Sequence, residues 1–189
     1  RGWVAEADGD MRRRAGRGAP TERHVSQLLV ADARTGARVV RLNSGDGGMF
    51  GRLEEEIVAL REAGIPYEII PGIPSACAAA AAAGIPLTRR LTARRVQCVT
   101  GHEVDGALPD DANLVALADP LATTVVFMGK RTFPALVEKL IANGLPADTP
   151  ALLAEAVSTP DQVLKRTTVS ELAKDLQAEF SPNPALILY

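Results

Sequence analysis

Residues 41–52 read Arg41-Leu42-Asn43-Ser44-Gly45-Asp46-Gly47-Gly48-Met49-Phe50-Gly51-Arg52. Residues 39–42, apolar except for Arg41, predict a strand, and Leu53, Ile57 and Leu60 share one face of a predicted helix that follows. In an open α/β sheet, a turn from strand to helix lies at the carboxyl edge, where ligands bind. Glycines let a ligand approach the backbone, and free N–H groups there favour an acceptor. Residues 43–52, which we name the glycine loop, therefore predict a binding site in an α/β fold.

The glycine loop also fits a plainer interpretation, a tight turn in which Asp46 acts as a cap. Its spacing is not Gly-x-Gly-x-x-Gly, and no acidic residue ends the next strand, so the pattern does not indicate a dinucleotide site. It contains no Gly-Lys-Ser/Thr, so it is not a Walker-type phosphate loop either. These residues alone do not distinguish a ligand-binding loop from a purely structural turn.

Outward from the glycine loop, helices and strands alternate along the chain. Predicted helices cover residues 21–35, 53–63, 76–83, 132–143 and the stretch after a Thr168–Glu171 capping box, and predicted strands cover residues 39–42, 67–70, 96–100, 124–128, 151–157, 163–167 and 185–189. Such alternation is typical of a parallel sheet with covering helices. A basic connection near residues 87–95 divides the chain into predicted lobes 1–90 and 91–189. The long polar loop predicted at residues 101–120 is of a kind that is often functional.

The composition narrows the class of protein. Of the 189 residues, 47% are hydrophobic and 23% are charged, which is ordinary for a globular chain. A net charge of −2 gives weak electrostatic support for nucleic-acid binding, and two cysteines cannot form a four-ligand zinc site. No apolar run reaches the ~18 residues that span a bilayer, and no signal peptide is recognisable. We therefore expect a cytoplasmic protein without a metal, nucleic-acid or membrane partner.

Seven ordered stretches resemble the tetrapyrrole methyltransferase family. Residues 39–56 are similar to the family signature V-V-R-L-K-G-G-D-P-x-x-F-G-R-x-x-E-E. The other similar stretches are residues 63–73, Gly84-Ile85-Pro86-Leu87-Thr88-Arg89, Val99-Thr100-Gly101-His102, Val126-Phe127-Met128-Gly129, Thr159-Pro160-Asp161-Gln162 and Pro184-Ala185-Leu186-Ile187. They occur in the family's order and spacing from about residue 21 to 188, so together they are far more specific than any one of them.

The resemblance implies a two-domain tetrapyrrole methylase-like fold, with a parallel sheet in an incomplete N-terminal lobe and a mixed sheet in the C-terminal lobe. It also implies that S-adenosylmethionine binds in a cleft between the lobes. The implied cofactor contacts are Ser44, Gly45, Asp46, Met49, Pro74, Ser75, Met128, Val157, Ala185 and Leu186. The implied substrate is a tetrapyrrole rich in carboxylates, which cationic side chains suit. The candidate substrate contacts are Arg89, Arg90, Lys130 and Arg131.

No catalytic base can be named from these residues. His102 follows a predicted strand end, and a structural role fits it as well as a catalytic one. The tripeptides Phe50-Gly51-Arg52 and Thr100-Gly101-His102 favour family members that C-methylate uroporphyrinogen III to precorrin-2, for sirohaem or cobalamin biosynthesis. Other corrin-ring methyltransferases are the alternative within the enzyme class.

The chain departs from the family pattern near its start. An early Gly-x-Gly-Pro-Gly-Asp loop and an acidic Leu-Tyr-Asp-like segment are not found, and residues 11–18 correspond only weakly to the region after them. Pro74 stands where the family has threonine. A truncated or non-catalytic homologue that keeps only the fold and a dimer interface, or an enzyme completed by a partner subunit, is therefore also considered. We expect a homodimer, or poor stability of this chain alone, because loss of a central strand exposes a sheet edge and apolar surface.

Overall fold

The computed structural model describes residues 22–101, 112–178 and 181–189. The chain forms two compact units, of which the first ends at Pro74 and the second spans Ser75–Tyr189. The predicted division into lobes 1–90 and 91–189 stays a prediction. The stretch 11–18, the predicted cap Thr21 and His102 lie outside the described residues.

The described part of the first unit contains two helices, α1 (Glu22–Arg34) and α2 (Leu53–Glu62). Three glutamates in the first turn of α2 complement the positive end of the helix dipole. The helix ends where Gly64 adopts φ +66°, and the N–H of Ile65 donates to the carbonyl of Leu60 at 2.9 Å. The helices predicted from apolar spacing are thus confirmed.

The two strands predicted for this unit, residues 39–42 and 67–70, are wrong for the described structure. Among residues 22–74 neither segment is assigned as a strand. A strand depends on backbone hydrogen bonds to a neighbouring strand, which its own sequence does not supply. Their apolar side chains lie open to solvent instead, with Leu42 81% and Ile70 78% exposed.

The second unit is built on one sheet. Its elements are α3 (Ser75–Ala82), β1 (Arg95–Thr100), α4 (Leu114–Leu117), β2 (Ala122–Phe127), α5 (Phe133–Ala142), β3 (Pro150–Glu155), β4 (Val163–Thr168), α6 (Val169–Ala178) and β5 (Ala185–Leu188). The strand order is β1-β2-β5-β3-β4, in which β1 and β2 are parallel and the other pairs are antiparallel. This confirms the α/β class and the mixed sheet.

Apolar side chains of α5 and α6 form the core of this unit against the sheet. Phe133 and Leu140 of α5 and Leu172 of α6 are fully buried, and they belong to one cluster with Val126 and Ile187 of the sheet. Burying one such side chain contributes about 1.5–3 kcal/mol. The core therefore fixes the strands whose ends carry the candidate site.

Two local predictions are corrected by the structure. The segment predicted as a loop at residues 101–120 contains α4, because the side chain of Asn113 accepts a hydrogen bond from the N–H of Ala116 at 3.1 Å. Only one of the two hydrogen bonds of the α6 capping box forms. The N–H of Glu171 donates to Thr168 Oγ1 at 3.3 Å, but the Glu171 carboxylate accepts from Thr167.

Across the described residues, no helix has the length and apolar character needed to cross a membrane.

Candidate functional site

One edge of the sheet gathers four of the predicted cofactor residues. Strands β2 and β3 end at this edge and β5 begins there, because β5 runs antiparallel to both: Leu186 pairs with Phe127 and with Ala154. Met128 follows β2 directly, Val157 lies two residues beyond β3, and Ala185 and Leu186 begin β5. We name this the β2/β3/β5 edge.

The backbone is strained at the β2/β3/β5 edge. Met128, Ala156 and Ser158 have φ of +55°, +45° and +67°. Non-glycine residues rarely adopt such angles, which cost about 1–3 kcal/mol each and cluster at ligand-binding sites. The strands predicted to run through Met128 and Val157 end earlier for this reason. The turns carry the chain out of the sheet and leave Met128 about two-fifths exposed.

The ends of β1 and β2 touch through two glycines. The N–H of Gly101 donates to the carbonyl of Phe127 at 2.6 Å, and a Cβ on Gly101 would overlap the Cα of Gly129. The hydroxyl of Thr132 donates to the carbonyl of Gly101 as well. Gly101 and the Met128-Gly129 motif therefore form one packed junction at the head of α5.

Lys130 lies in this junction and is turned inward. Its ammonium forms an ion pair with Glu155 and donates to the carbonyls of Ser181 at 2.6 Å and Asn183 at 3.1 Å. Both charged residues are buried, at 8% and 7% exposure. This geometry directs Lys130 into the protein and does not favour its predicted contact with substrate. Arg89, Arg90 and Arg131, the other predicted substrate contacts, are exposed.

In the first unit, Asp46 joins the glycine loop to the turn at residues 71–72. Its carboxylate accepts from the N–H of Gly48 at 2.8 Å and from the N–H of Gly72 at 2.9 Å. A Cβ on Gly72 would overlap the carbonyl oxygen of Gly45, so only glycine allows this approach. The structural interpretation of Asp46 thus holds, and its carboxylate shapes a loop that also carries Ser44, Gly45 and Met49.

A partly buried ion pair lies next to the glycine loop, and sequence reasoning did not predict it. The Nε of Arg41 lies 3.1 Å from the carboxylate of Glu56, which is 9% exposed. Arg41 also donates to the carbonyl of Leu42 at 2.6 Å. The loop's far end is strained, with Phe50 at φ +55° and Arg52 at φ +60°. The sequence contained a signal for this ion pair, because Arg41 and Glu56 both belong to the family signature.

The predicted cofactor residues thus fall into two groups. Ser44, Gly45, Asp46, Met49 and Pro74 belong to the first unit, and Ser75, Met128, Val157, Ala185 and Leu186 to the second. Within each unit the structure brings segments distant in sequence together. The cleft predicted between the lobes, and the roles of these residues, stay predictions.

The mixed sheet and the glycine loop are the features that the resemblance to the tetrapyrrole methyltransferases implies. Residues 3–173 match the profile of the tetrapyrrole (corrin/porphyrin) methylases. The chain belongs to this family of methyltransferases.

Curated relatives have two kinds of names. The chain is 43% identical over 179 residues to the S-adenosyl-L-methionine-dependent uroporphyrinogen III methyltransferase of Arabidopsis thaliana, across 92% of this chain and 47% of the relative. It is 42% identical over 176 residues to siroheme synthase of Tolumonas auensis, across 93% of this chain and 37% of the relative. The chain therefore spans less than half the length of these relatives.

Solved structures show the same fold. The uroporphyrin-III C-methyltransferase of Thermus thermophilus, in complex with S-adenosylhomocysteine, is 34% identical, with a TM-score of 0.75 over 88% of this chain and 72% of that one. A cobalt-precorrin-4 methyltransferase of cobalamin biosynthesis is 29% identical, with a TM-score of 0.78 over 92% of this chain and 71% of that one.

Proposed function

We propose that this chain carries S-adenosylmethionine-dependent C-methylation of uroporphyrinogen III to precorrin-2, for sirohaem or cobalamin biosynthesis. The family membership and the names of the similar proteins support this substrate and this cofactor. The observation that carries the proposal is the β2/β3/β5 edge, where the turns after two strands and the start of a third converge with strained backbone. Cytoplasmic localisation and assembly as a homodimer belong to the same proposal.

The residues of the edge suit a ligand with one polar and one apolar end. Met128 offers an exposed apolar side chain, and the turn after β3 brings the backbone of Val157 to the same edge. The glycine loop, which Asp46 holds against Gly72, offers a second set of backbone groups. When bound, S-adenosylmethionine supplies an electrophilic methyl group on its sulfonium.

The contribution of this chain to the reaction is orientation. Holding donor and acceptor carbon in line removes much of the entropic barrier to transfer. The exposed guanidinium groups of Arg89, Arg90 and Arg131 suit the substrate carboxylates, because arginine pairs with a carboxylate through two parallel hydrogen bonds. A proton must leave the methylated carbon, and we assign that proton transfer to no residue of the chain.

Titration calorimetry with S-adenosylhomocysteine tests the cofactor site. We expect saturable binding, and absence of heat at millimolar ligand would contradict the proposal. Met128→Ala should weaken binding at least tenfold, about 1.4 kcal/mol, because it removes the exposed apolar contact. Leu121→Ala is the matched control, since Leu121 is also exposed but precedes the opposite end of β2.

A methyl-transfer assay then separates the candidate activities. Transfer from S-adenosylmethionine to uroporphyrinogen III supports the proposed substrate. Transfer only to a cobalt-precorrin would favour another corrin-ring methyltransferase, which the TM-score of 0.78 to such an enzyme makes the second candidate. Ligand binding without transfer to either substrate would identify a non-catalytic homologue.

A further inference from the structure

The buried ion pair of Lys130 and Glu155 connects three separate segments of the second unit. Lys130 lies in the turn after β2, Glu155 is the last residue of β3, and Ser181 and Asn183 belong to the segment that leads into β5. The ammonium of Lys130 contacts all three partners. These segments carry Met128, Val157 and Ala185.

The described contacts of Lys130 supply enough acceptors for its ammonium. A lysine ammonium has three N–H donors, and the structure offers it one carboxylate and two carbonyl oxygens. A buried charge is costly unless it is paired and hydrogen-bonded, and both conditions are met here. Such a pair adds little net stability compared with apolar residues, but it defines one arrangement of the groups around it.

We propose that Lys130 is a positioning residue for the cofactor, which holds the turns after β2 and β3 and the start of β5 in the arrangement that binds it. This inference rests on the proposed function, because it takes the β2/β3/β5 edge as the cofactor site. Lys130 acts through the backbone of these segments and makes no contact with the substrate.

Two variants separate positioning from simple stabilisation. Lys130→Met leaves the Glu155 carboxylate buried without its partner, so the melting temperature should fall. Lys130→Met/Glu155→Gln removes that uncompensated charge and should restore at least half of the lost melting temperature. If Lys130 positions the cofactor, S-adenosylhomocysteine should bind at least tenfold more weakly to both variants.

The matched control is Lys165→Met, which breaks an ion pair between β4 and α6, where Lys165 Nζ lies 2.8 Å from Asp175 and both side chains are about half exposed. It should leave affinity for S-adenosylhomocysteine unchanged. Recovery of wild-type affinity in the double variant would overturn the inference, because the effect of Lys130 would then be stability alone.

Hydrogen exchange of the ligand-free protein gives a readout independent of cofactor. In the double variant, the amides of residues 156–159, 161 and 162 and those of Ser181 and Asn183 should exchange at least tenfold faster, while those of α5 keep their protection. Unchanged exchange in these segments would also overturn the inference. If the wild-type chain binds no S-adenosylhomocysteine, the proposed function fails, and the exchange rates still decide whether Lys130 orders the three segments.

Discussion

The glycine loop and the β2/β3/β5 edge carry the same kind of predicted residue but are held in different ways. At the edge, each segment begins or ends a strand with paired neighbours, above a core of fully buried side chains. The glycine loop lies between an irregular segment and α2, and its described link to the turn at Gly72 consists of the Asp46 carboxylate and a close backbone contact. Each hydrogen bond to a charged group contributes about 1.5–3 kcal/mol.

This difference predicts how the two regions respond to damage. The strands that end at the edge should lose their arrangement only when the sheet or its core fails, because many contacts determine it, whereas the turns beyond them also depend on the contacts of Lys130. The glycine loop should fail locally, because few contacts hold it. Truncation of a core side chain in the second unit should therefore lower affinity for S-adenosylhomocysteine and the free energy of unfolding together, whereas a change in the glycine loop should lower affinity alone.

Phe133→Ala is the most severe test of the edge. Phe133 is fully buried at the start of α5, next to the Gly101–Gly129 junction, and its ring lies 6.3 Å from that of Tyr189. Truncating it should cost about 3–5 kcal/mol of unfolding free energy in a urea titration and should lower ligand affinity in parallel. Val115→Ala, at a well-exposed position of α4, is the control and should change neither. If Phe133→Ala lost affinity for S-adenosylhomocysteine but kept the wild-type free energy of unfolding, the expected link between the core and the edge would be wrong.

Gly72→Ala tests the glycine loop. The added methyl group would overlap the carbonyl oxygen of Gly45, so the two turns must separate and the bond from Gly72 to Asp46 must break. We expect affinity for S-adenosylhomocysteine to fall at least tenfold in calorimetry. The control is Gly36→Ala, whose added methyl group meets no atom within 4 Å, although φ +82° at Gly36 gives this variant a backbone penalty that Gly72→Ala lacks. An equal loss of affinity in both variants would show that loop contact is not the cause.

Alkaline pH tests the sheet through Tyr189. Burial raises the pKa of Tyr189 to about 12, above the ordinary value near 10. The folded state therefore holds this proton more tightly than the unfolded state. Unfolding free energy from this group should be constant below pH 10 and should fall between pH 10 and 12, by at most about 2–3 kcal/mol.

Tyr189→Phe provides the reference for that measurement. The variant loses the hydrogen bond from the tyrosine hydroxyl to the carbonyl of Leu117, so its stability at pH 8 should be about 1 kcal/mol lower. The difference in unfolding free energy between wild type and variant should shrink as pH rises from 10 to 12. If the difference in unfolding free energy stayed constant from pH 10 to 12, the raised pKa of Tyr189 in the folded state would be contradicted.

Asp46→Asn should have the smallest effect. The asparagine carbonyl can replace one carboxylate oxygen, so it retains one of the two bonds to Gly48 and Gly72 but not both. We expect a loss of about 1 kcal/mol in ligand binding, or about fivefold in affinity, with unfolding of the sheet unchanged. Asn43→Asp, which alters a neighbouring exposed side chain of the same loop, is the matched control and should bind ligand as the wild type does.

Much of the second unit could be predicted from the sequence because its signals are local. Apolar spacing and the glycine after the helix indicate α5, and short runs rich in β-branched residues indicate β1 and β2. The predicted strands of the first unit failed because strand formation depends on a neighbour. Residues 39–42 have a suitable composition, but no strand of the described first unit pairs with them.

The site could be predicted less completely than the fold. The motifs located the β2/β3/β5 edge, yet nothing in the sequence indicates that Met128 or Ala156 adopts positive φ, because neither is a glycine or an asparagine. Lys130 next to Arg131 suggested a basic surface for substrate. Linear sequence does not show which of two adjacent cations turns inward, and the partner Glu155 lies 25 residues away.

The contact between Gly101 and Gly129 has a consequence for how this protein can change over time. A side chain at Gly101 would occupy space that the backbone at Gly129 already fills, and one at Gly129 would strike Val126. A side chain at Gly101 would require the ends of two parallel strands to move apart, whereas one at Gly129 would require Val126 to shift. Two segments that stand 28 positions apart in the chain thus restrict which residues the other can carry.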